Sequence, residues 1–327
     1  MPPSVHTDDF SYGLRRFVQE SDTLRVTILP DVGAKIYDLV SKASGRNFLW
    51  HNPRIAPVAY PVDGNFDNYW CGGWDDGFPT CDACTVGGEQ YPNLGELRSV
   101  RWTLTEAGQA DGNPFIALMA FGPISPVRAS KRITLNSRAA EIRIQYEYSN
   151  VGPLSFPFIW GTHPALDPRE GMVLRIPART GVVGQASDPA LGVPGQRYAW
   201  PTLETPAGKL DMSRTLPLSA GLGCGHYAID LESGWYAAED ANSGEGFLLK
   251  FSKDACPCLW MWLTYGGWRG YQHVILEPWT SVPINLAEAV KAGTARLLAP
   301  GQSFSTEVVA TIYAPPETWQ GALARLG

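Results

Sequence analysis

Glu141-Ile142-Arg143-Ile144-Gln145-Tyr146-Glu147-Tyr148 places an apolar residue at every even position and a polar one at every odd position. Successive strand side chains point to opposite faces, so this stretch predicts a strand with one face on a core and one in water. Asn150-Val151-Gly152 then breaks the pattern. Working outward, short strands are predicted over Leu24 to Leu29, Lys35 to Leu39, Gly246 to Phe251, Leu259 to Thr264 and Phe304 to Tyr313. Punctuation such as Pro30-Asp31-Val32-Gly33 and Ala43-Ser44-Gly45 separates them. Helices are expected only at Leu286 to Lys291, with Gly293 as the stop, and at Pro316 to Arg325, with proline in the first turn. The 27 prolines and 34 glycines suit many turns better than long helices. No repeat and no low-complexity linker divides the chain. The fold expected is all-β, a large antiparallel β-sandwich forming a single domain over residues 1–327, with few short helices.

Composition narrows the function. With 44% hydrophobic and 18% charged residues, the 327-residue chain can bury a substantial core. A net charge of -6 with scattered Lys and Arg argues against a nucleic-acid or anionic-membrane partner and leaves a small, neutral one. No run approaches the roughly 20 apolar residues of a membrane span, and the N-terminus lacks a basic start and apolar h-region, so a cytoplasmic protein is expected. The six cysteines are read as small buried hydrophobes. Cys81-Asp82-Ala83-Cys84 and Cys256-Pro257-Cys258 together offer four thiolates, but the second pair is too closely spaced for an ordinary zinc site, and no metal is assigned. Oligomeric state is not legible.

Two segments far apart in the chain carry the candidate chemistry. Phe156-Pro157-Phe158-Ile159-Trp160-Gly161-Thr162-His163-Pro164 and Tyr271-Gln272-His273-Val274-Ile275-Leu276-Glu277-Pro278 each end an apolar, aromatic run with one titratable residue followed by proline. Proline lacks a backbone donor, so each strand is expected to stop there and turn its polar side chain into a cleft. An unperturbed imidazole titrates near neutrality, which suits His163 to proton transfer. Glu277 follows three aliphatic residues, and desolvation would fit it to act as a general base; the alternative is a buried carboxylate paired with Arg269 or Lys35. His273, four residues before Glu277, shares its strand face. Tryptophans including Trp160 and Trp74 offer flat faces for the C–H side of a sugar ring, although most of the twelve must be core. In Gly72-Gly73-Trp74-Asp75-Asp76-Gly77, the two aspartates either bind hydroxyls or a cation, or cap a turn. Arg98 is a candidate for meeting an acidic group on the ligand, with surface salt bridging the alternative.

At these residues the sequence resembles the aldose 1-epimerase family, whose members share the galactose mutarotase-like fold. The resemblance runs in order from Leu29-Pro30-Asp31-Val32-Gly33-Ala34-Lys35-Ile36 and Gly45-Arg46-Asn47-Phe48-Leu49-Trp50 through Gly72-Gly73-Trp74-Asp75 to Thr162-His163-Pro164, Leu276-Glu277-Pro278 and Pro300-Gly301. It implies a sandwich whose concave face holds a free monosaccharide, with His163 as general acid and Glu277 as general base of anomer interconversion, and no cofactor. Leu94 stands where the family often carries a further histidine. Two other readings stay open. One is a glycoside hydrolase using Glu277 with Asp75 or Asp76, since such enzymes need two carboxylates. The other is a carbohydrate-binding protein without catalysis.

Overall fold

The alternating octapeptide lies in the strand Glu141–Asn150, and its even-numbered side chains Ile142, Ile144, Tyr146 and Tyr148 are all buried. The computed structural model describes residues 3–327, which form antiparallel strands and three short α-helices. The chain divides into two compact units, one running up to His163 and resuming over Thr280–Val308, the other comprising Pro164–Trp279 and Val309–Gly327.

In the first unit, Glu141–Asn150 pairs with Val127–Leu135, which pairs with Asn113–Phe121, and this with Thr103–Ala110. A second meander runs through Ser4–Ser11, Leu14–Glu20, Leu24–Leu29, Lys35–Ser41 and Trp74–Gly77. The two sheets face each other across a core: buried Gln19 of one donates through Nε2 to the Ile133 carbonyl of the other. Gly72 and Gly73 lead into Trp74–Gly77 with φ of 85° each. A Cβ on Gly72 would lie 2.1 Å from the Trp50 carbonyl oxygen, so both backbone conformation and space demand glycine.

In the second unit, Gln272–Trp279, Cys258–Tyr265, Leu222–Leu231, Ala178–Ala186 and Arg197–Ala199 form one sheet in that order. Leu259, Met261 and Leu263 share one face of the sheet and are fully buried. A further sheet includes Val173–Arg175, Trp235–Glu239 and Gly246–Phe251. The C-terminal helix Trp319–Arg325 covers part of it, with Trp319 stacked on Trp235 at 5.1 Å and Ala322 buried among Ala237, Leu248 and Tyr313.

The predicted strands are present, with ends shifted by a few residues at most. Two expectations need correction. The last helix begins at Trp319, not Pro316, because Thr318 is the residue whose side chain accepts an amide hydrogen bond, from Gly321. Pro164 and Pro278 do not end their strands, which run over Gly161–Leu166 and Gln272–Trp279. Each proline forfeits a single ladder donor while its carbonyl and flanking residues can still pair, and Pro278 stays in register opposite Leu259.

Gly72→Ala is expected to cost about 2 kcal/mol or more, since a strained φ adds to a backbone collision. Gly87, also at positive φ but with open space around its Cα, is expected to cost about 1 kcal/mol as alanine. Urea midpoints of the two variants check the difference.

Candidate functional site

His163 sits in the first unit with 2% of its surface exposed. Its ring meets Trp70 edge-on at 5.7 Å and Phe66 at 6.2 Å. Phe66 and Trp70 are brought together by the short helix Phe66–Tyr69, capped by the Asn65 side chain. Burial among these rings pushes the imidazole down to about 4; the Lys35 ammonium acts in the same direction and the Asp75 carboxylate opposes it. The expectation of a histidine titrating near neutrality is therefore corrected: at pH 7 this imidazole is neutral.

Asp75 and Asp76 lie in the strand Trp74–Gly77 rather than in a turn, and each closes a buried ion pair. Lys35 reaches Asp75 at 2.5 Å and also donates to the Gly72 carbonyl at 2.7 Å, while Trp70 Nε1 donates to Asp75 at 3.1 Å. Burial works against the Lys35 charge, yet the neighbouring carboxylate prevails and its pKa is raised. Lys131 reaches Asp76 at 2.5 Å, and the Tyr146 and Thr162 hydroxyls donate to the same carboxylate at 2.9 and 2.8 Å. Lys35 is thus the partner of Asp75, not of Glu277.

Arg98 is buried at 2% exposure with Nη2 donating to the Gly64 carbonyl and Nε to that of Asn93. Its guanidinium lies over the rings of Tyr60 and Phe66, at 5.1 and 5.3 Å. Phe66 therefore touches both Arg98 and His163. Surface salt bridging, the alternative at the sequence level, does not describe this arginine. Trp74 and Trp160 are also buried, and their indole N–H groups are taken by Thr162 and by the Tyr148 hydroxyl. Leu94 is buried at a φ of 59°.

Glu277 belongs to the second unit and is 1% exposed, accepting from Trp279 Nε1 at 2.8 Å. Register fixes its neighbours: Trp260 stands opposite Glu277, Trp262 opposite Ile275, and Thr264 opposite His273. Directly opposed residues share a sheet face, so these six side chains form three rows on one surface. One strand further, Tyr227 stands beside Trp260 with ring centroids 4.6 Å apart. The Trp260 indole lies over Gly184 and Gly225, where a Cβ would approach its ring to 2.5 and 2.1 Å. His273 is buried and packs edge-on against Trp262 at 4.8 Å. Arg269 lies over the Trp268 ring. The outcome is a carboxylate on an aromatic face, the arrangement that would hold a polyol by stacking while a base acts on one hydroxyl.

Sequence reasoning missed Tyr60, Phe66 and Lys131. Lys131 carried a signal: it occupies the apolar register of Val127, Ala129, Ile133 and Leu135. Tyr60 lies outside the strands and helices, and Phe66 opens a four-residue helix too short for any periodicity to set its direction. Among the described residues, no group of three or more His, Cys, Asp or Glu could hold a metal ion. No helix among them is long and apolar enough to cross a membrane.

This architecture is the galactose mutarotase-like fold, a large antiparallel β-sandwich class. The chain is similar to the Slr1438 protein of Synechocystis sp. PCC 6803, with a TM-score of 0.68 at 19% identity over 96% of this chain and 100% of that one. It is also similar to a galactose mutarotase-like protein of Clostridium acetobutylicum, with a TM-score of 0.67 at 15% identity over 96% and 99%. A galactose mutarotase related enzyme of Lactobacillus acidophilus follows, with a TM-score of 0.65 at 14% identity over 93% and 99%. No family model matches the sequence, and no curated protein does.

Two tests follow from the buried charges. Lys131→Met leaves Asp76 without its counter-ion and is expected to cost about 3–5 kcal/mol, with part recovered in Lys131→Met/Asp76→Asn; denaturant titration reads both. His226, buried with Tyr198 and the Leu191 carbonyl on its ring nitrogens, is likewise pushed down to about 4 by burial. For both histidines the unfolded state binds the proton first, so stability falls as pH drops from 6.5 towards 4, by up to about 3 kcal/mol each. Thermal melts at pH 7, 5.5 and 4.5 are expected to show that loss, and His226→Gln to show less of it.

Proposed function

We propose that this protein is an aldose 1-epimerase-like isomerase that interconverts the anomers of a free sugar, with Glu277 as base and His163 as the donor to the ring oxygen. The observation that carries the reading is Glu277 itself, a carboxylate buried on an aromatic face with Trp260 opposite. Kinship of fold with mutarotase-like proteins supports it.

A neutral His163 alters the chemistry expected from the sequence alone. Glu277 takes the proton of the C1 hydroxyl as the bond between C1 and the ring oxygen breaks, leaving an aldehyde and an alkoxide. The His163 N–H stabilises that alkoxide by hydrogen bonding, as a neutral imidazole with a lowered pKa can. After rotation about C1–C2 the alkoxide attacks the other carbonyl face, and Glu277 returns its proton to the carbonyl oxygen. Atoms and protons balance without an imidazolium. The hydrolase reading loses support because Asp75 and Asp76 are each already closed by a lysine.

Anomer exchange followed by NMR across a panel of aldoses tests the proposal. His163→Ala and Glu277→Gln are each expected to lower the rate about 10²- to 10⁴-fold while remaining folded. Between pH 6 and 8 the wild-type rate is expected to stay level, because His163 is already neutral there. A descending limb in that range that His163→Gln removes would establish an imidazolium acid instead. Saturable binding of sugar with no exchange would leave the non-catalytic reading, which Leu94 in place of a histidine favours.

A further inference from the structure

On the Glu277 face of the second unit, a hollow of about 240 Å³ opens beside the rows of Trp262 and Thr264. Trp262 and Trp268 line it, edge to face at 4.9 Å, with Gln185, Ser187 and Thr264 around them. A cavity of about 150 Å³ holds benzene, so this one admits a six-membered ring. No Asp, Glu, Lys or Arg lines it, which favours a neutral occupant over a phosphate or carboxylate.

Two details make it more than a dent between side chains. Thr264 is 1% exposed, yet its Oγ1 has no hydrogen-bond partner in the protein, although buried hydroxyls are ordinarily satisfied. The rim is also shaped by an irregularity: the pairing of Ala178–Ala186 with Leu222–Leu231 shifts between Val183 and Gln185. That bulge lays the Gln185 side chain over Gly225, where a Cβ would meet its Cγ at 2.9 Å, and its amide offers both a donor and an acceptor at the rim.

Position along the strands decides what the occupant is. A strand rises about 3.4 Å per residue, so the Trp262 row lies about 7 Å, and the Thr264 row about 14 Å, from the row that holds Glu277. A pyranose with C1 at Glu277 ends before the hollow. We infer that the hollow is a subsite for the second pyranose of an oligosaccharide whose reducing end lies at Glu277, that ring stacking on Trp262 and Trp268 while a hydroxyl pairs with Thr264 Oγ1. The inference rests on the anomerase reading for the reducing-end position and extends it from a monosaccharide to a neutral oligosaccharide.

The test compares glucose with maltose, cellobiose and lactose, binding being read by tryptophan fluorescence and anomer exchange by NMR on the full chain. At least one disaccharide is expected to bind about tenfold more tightly than glucose, the worth of one added hydrogen bond with stacking. Thr264→Val with Gln185→Ala is expected to erase most of that difference. The valine is nearly isosteric and removes a hydroxyl that is unpaired in the free protein, so folding is not at risk. Trp268→Ala is expected to shrink the same ratio. Equal affinity for glucose and all three disaccharides, or a preference that survives these variants, overturns the subsite. Disaccharide preference without exchange of any sugar upholds the subsite and rejects the anomerase reading, whereas exchange of glucose with no preference does the reverse.

Discussion

Two adjacent aspartates, each closed by a buried lysine, constrain everything around His163. Lys35–Asp75 and Lys131–Asp76 are both nearly inaccessible to water. Desolvation of such ions costs several kcal/mol apiece and is offset only by close geometry and further hydrogen bonds. Trp70 supplies such a bond to Asp75, and Tyr146 and Thr162 supply them to Asp76. The strand Trp74–Gly77, the indole of Trp70 and the backbone at Gly72 are thus held by one network. Because Lys35 and Asp75 act on His163 in opposite directions, burial decides its protonation. A histidine kept neutral among aromatic rings is a hydrogen-bond donor ready without any prior proton uptake.

The second unit solves a different problem, placing a carboxylate on an aromatic face. The means are steric. Gly184 and Gly225 lack the Cβ atoms that would lift the Trp260 indole off the sheet, so a broad ring lies across three strands. Directly opposed pairs then line up Glu277 with Trp260, and His273 with Thr264. On the proposed reading, such a surface would recognise a ligand by stacking and by hydroxyl contacts. That accords with a chain whose net charge is small for its size and whose Lys and Arg are dispersed.

What the sequence determined by itself is whatever depends on neighbours in the chain. Period-two alternation is a property of an extended backbone, so Glu141–Tyr148 declared its buried face, and Leu24–Leu29 and Gly246–Phe251 their limits. The candidate pair His163 and Glu277 was legible because a lone ionisable residue in an apolar run is conspicuous. Tertiary structure alone decided partners and solvation. Lys131 stood in an apolar register, but only folding brings Asp76 to it. Trp74 and Trp160 offer flat faces in the sequence, but folding alone buries both and gives their N–H groups to Thr162 and Tyr148. The prolines after His163 and Glu277 read locally as stops, yet the ladder bonds that the flanking residues make in the folded sheet carry both strands through. The protonation of His163 was set by Phe66, Trp70 and the removal of water, and desolvation is a property of the folded surroundings that no local pattern encodes.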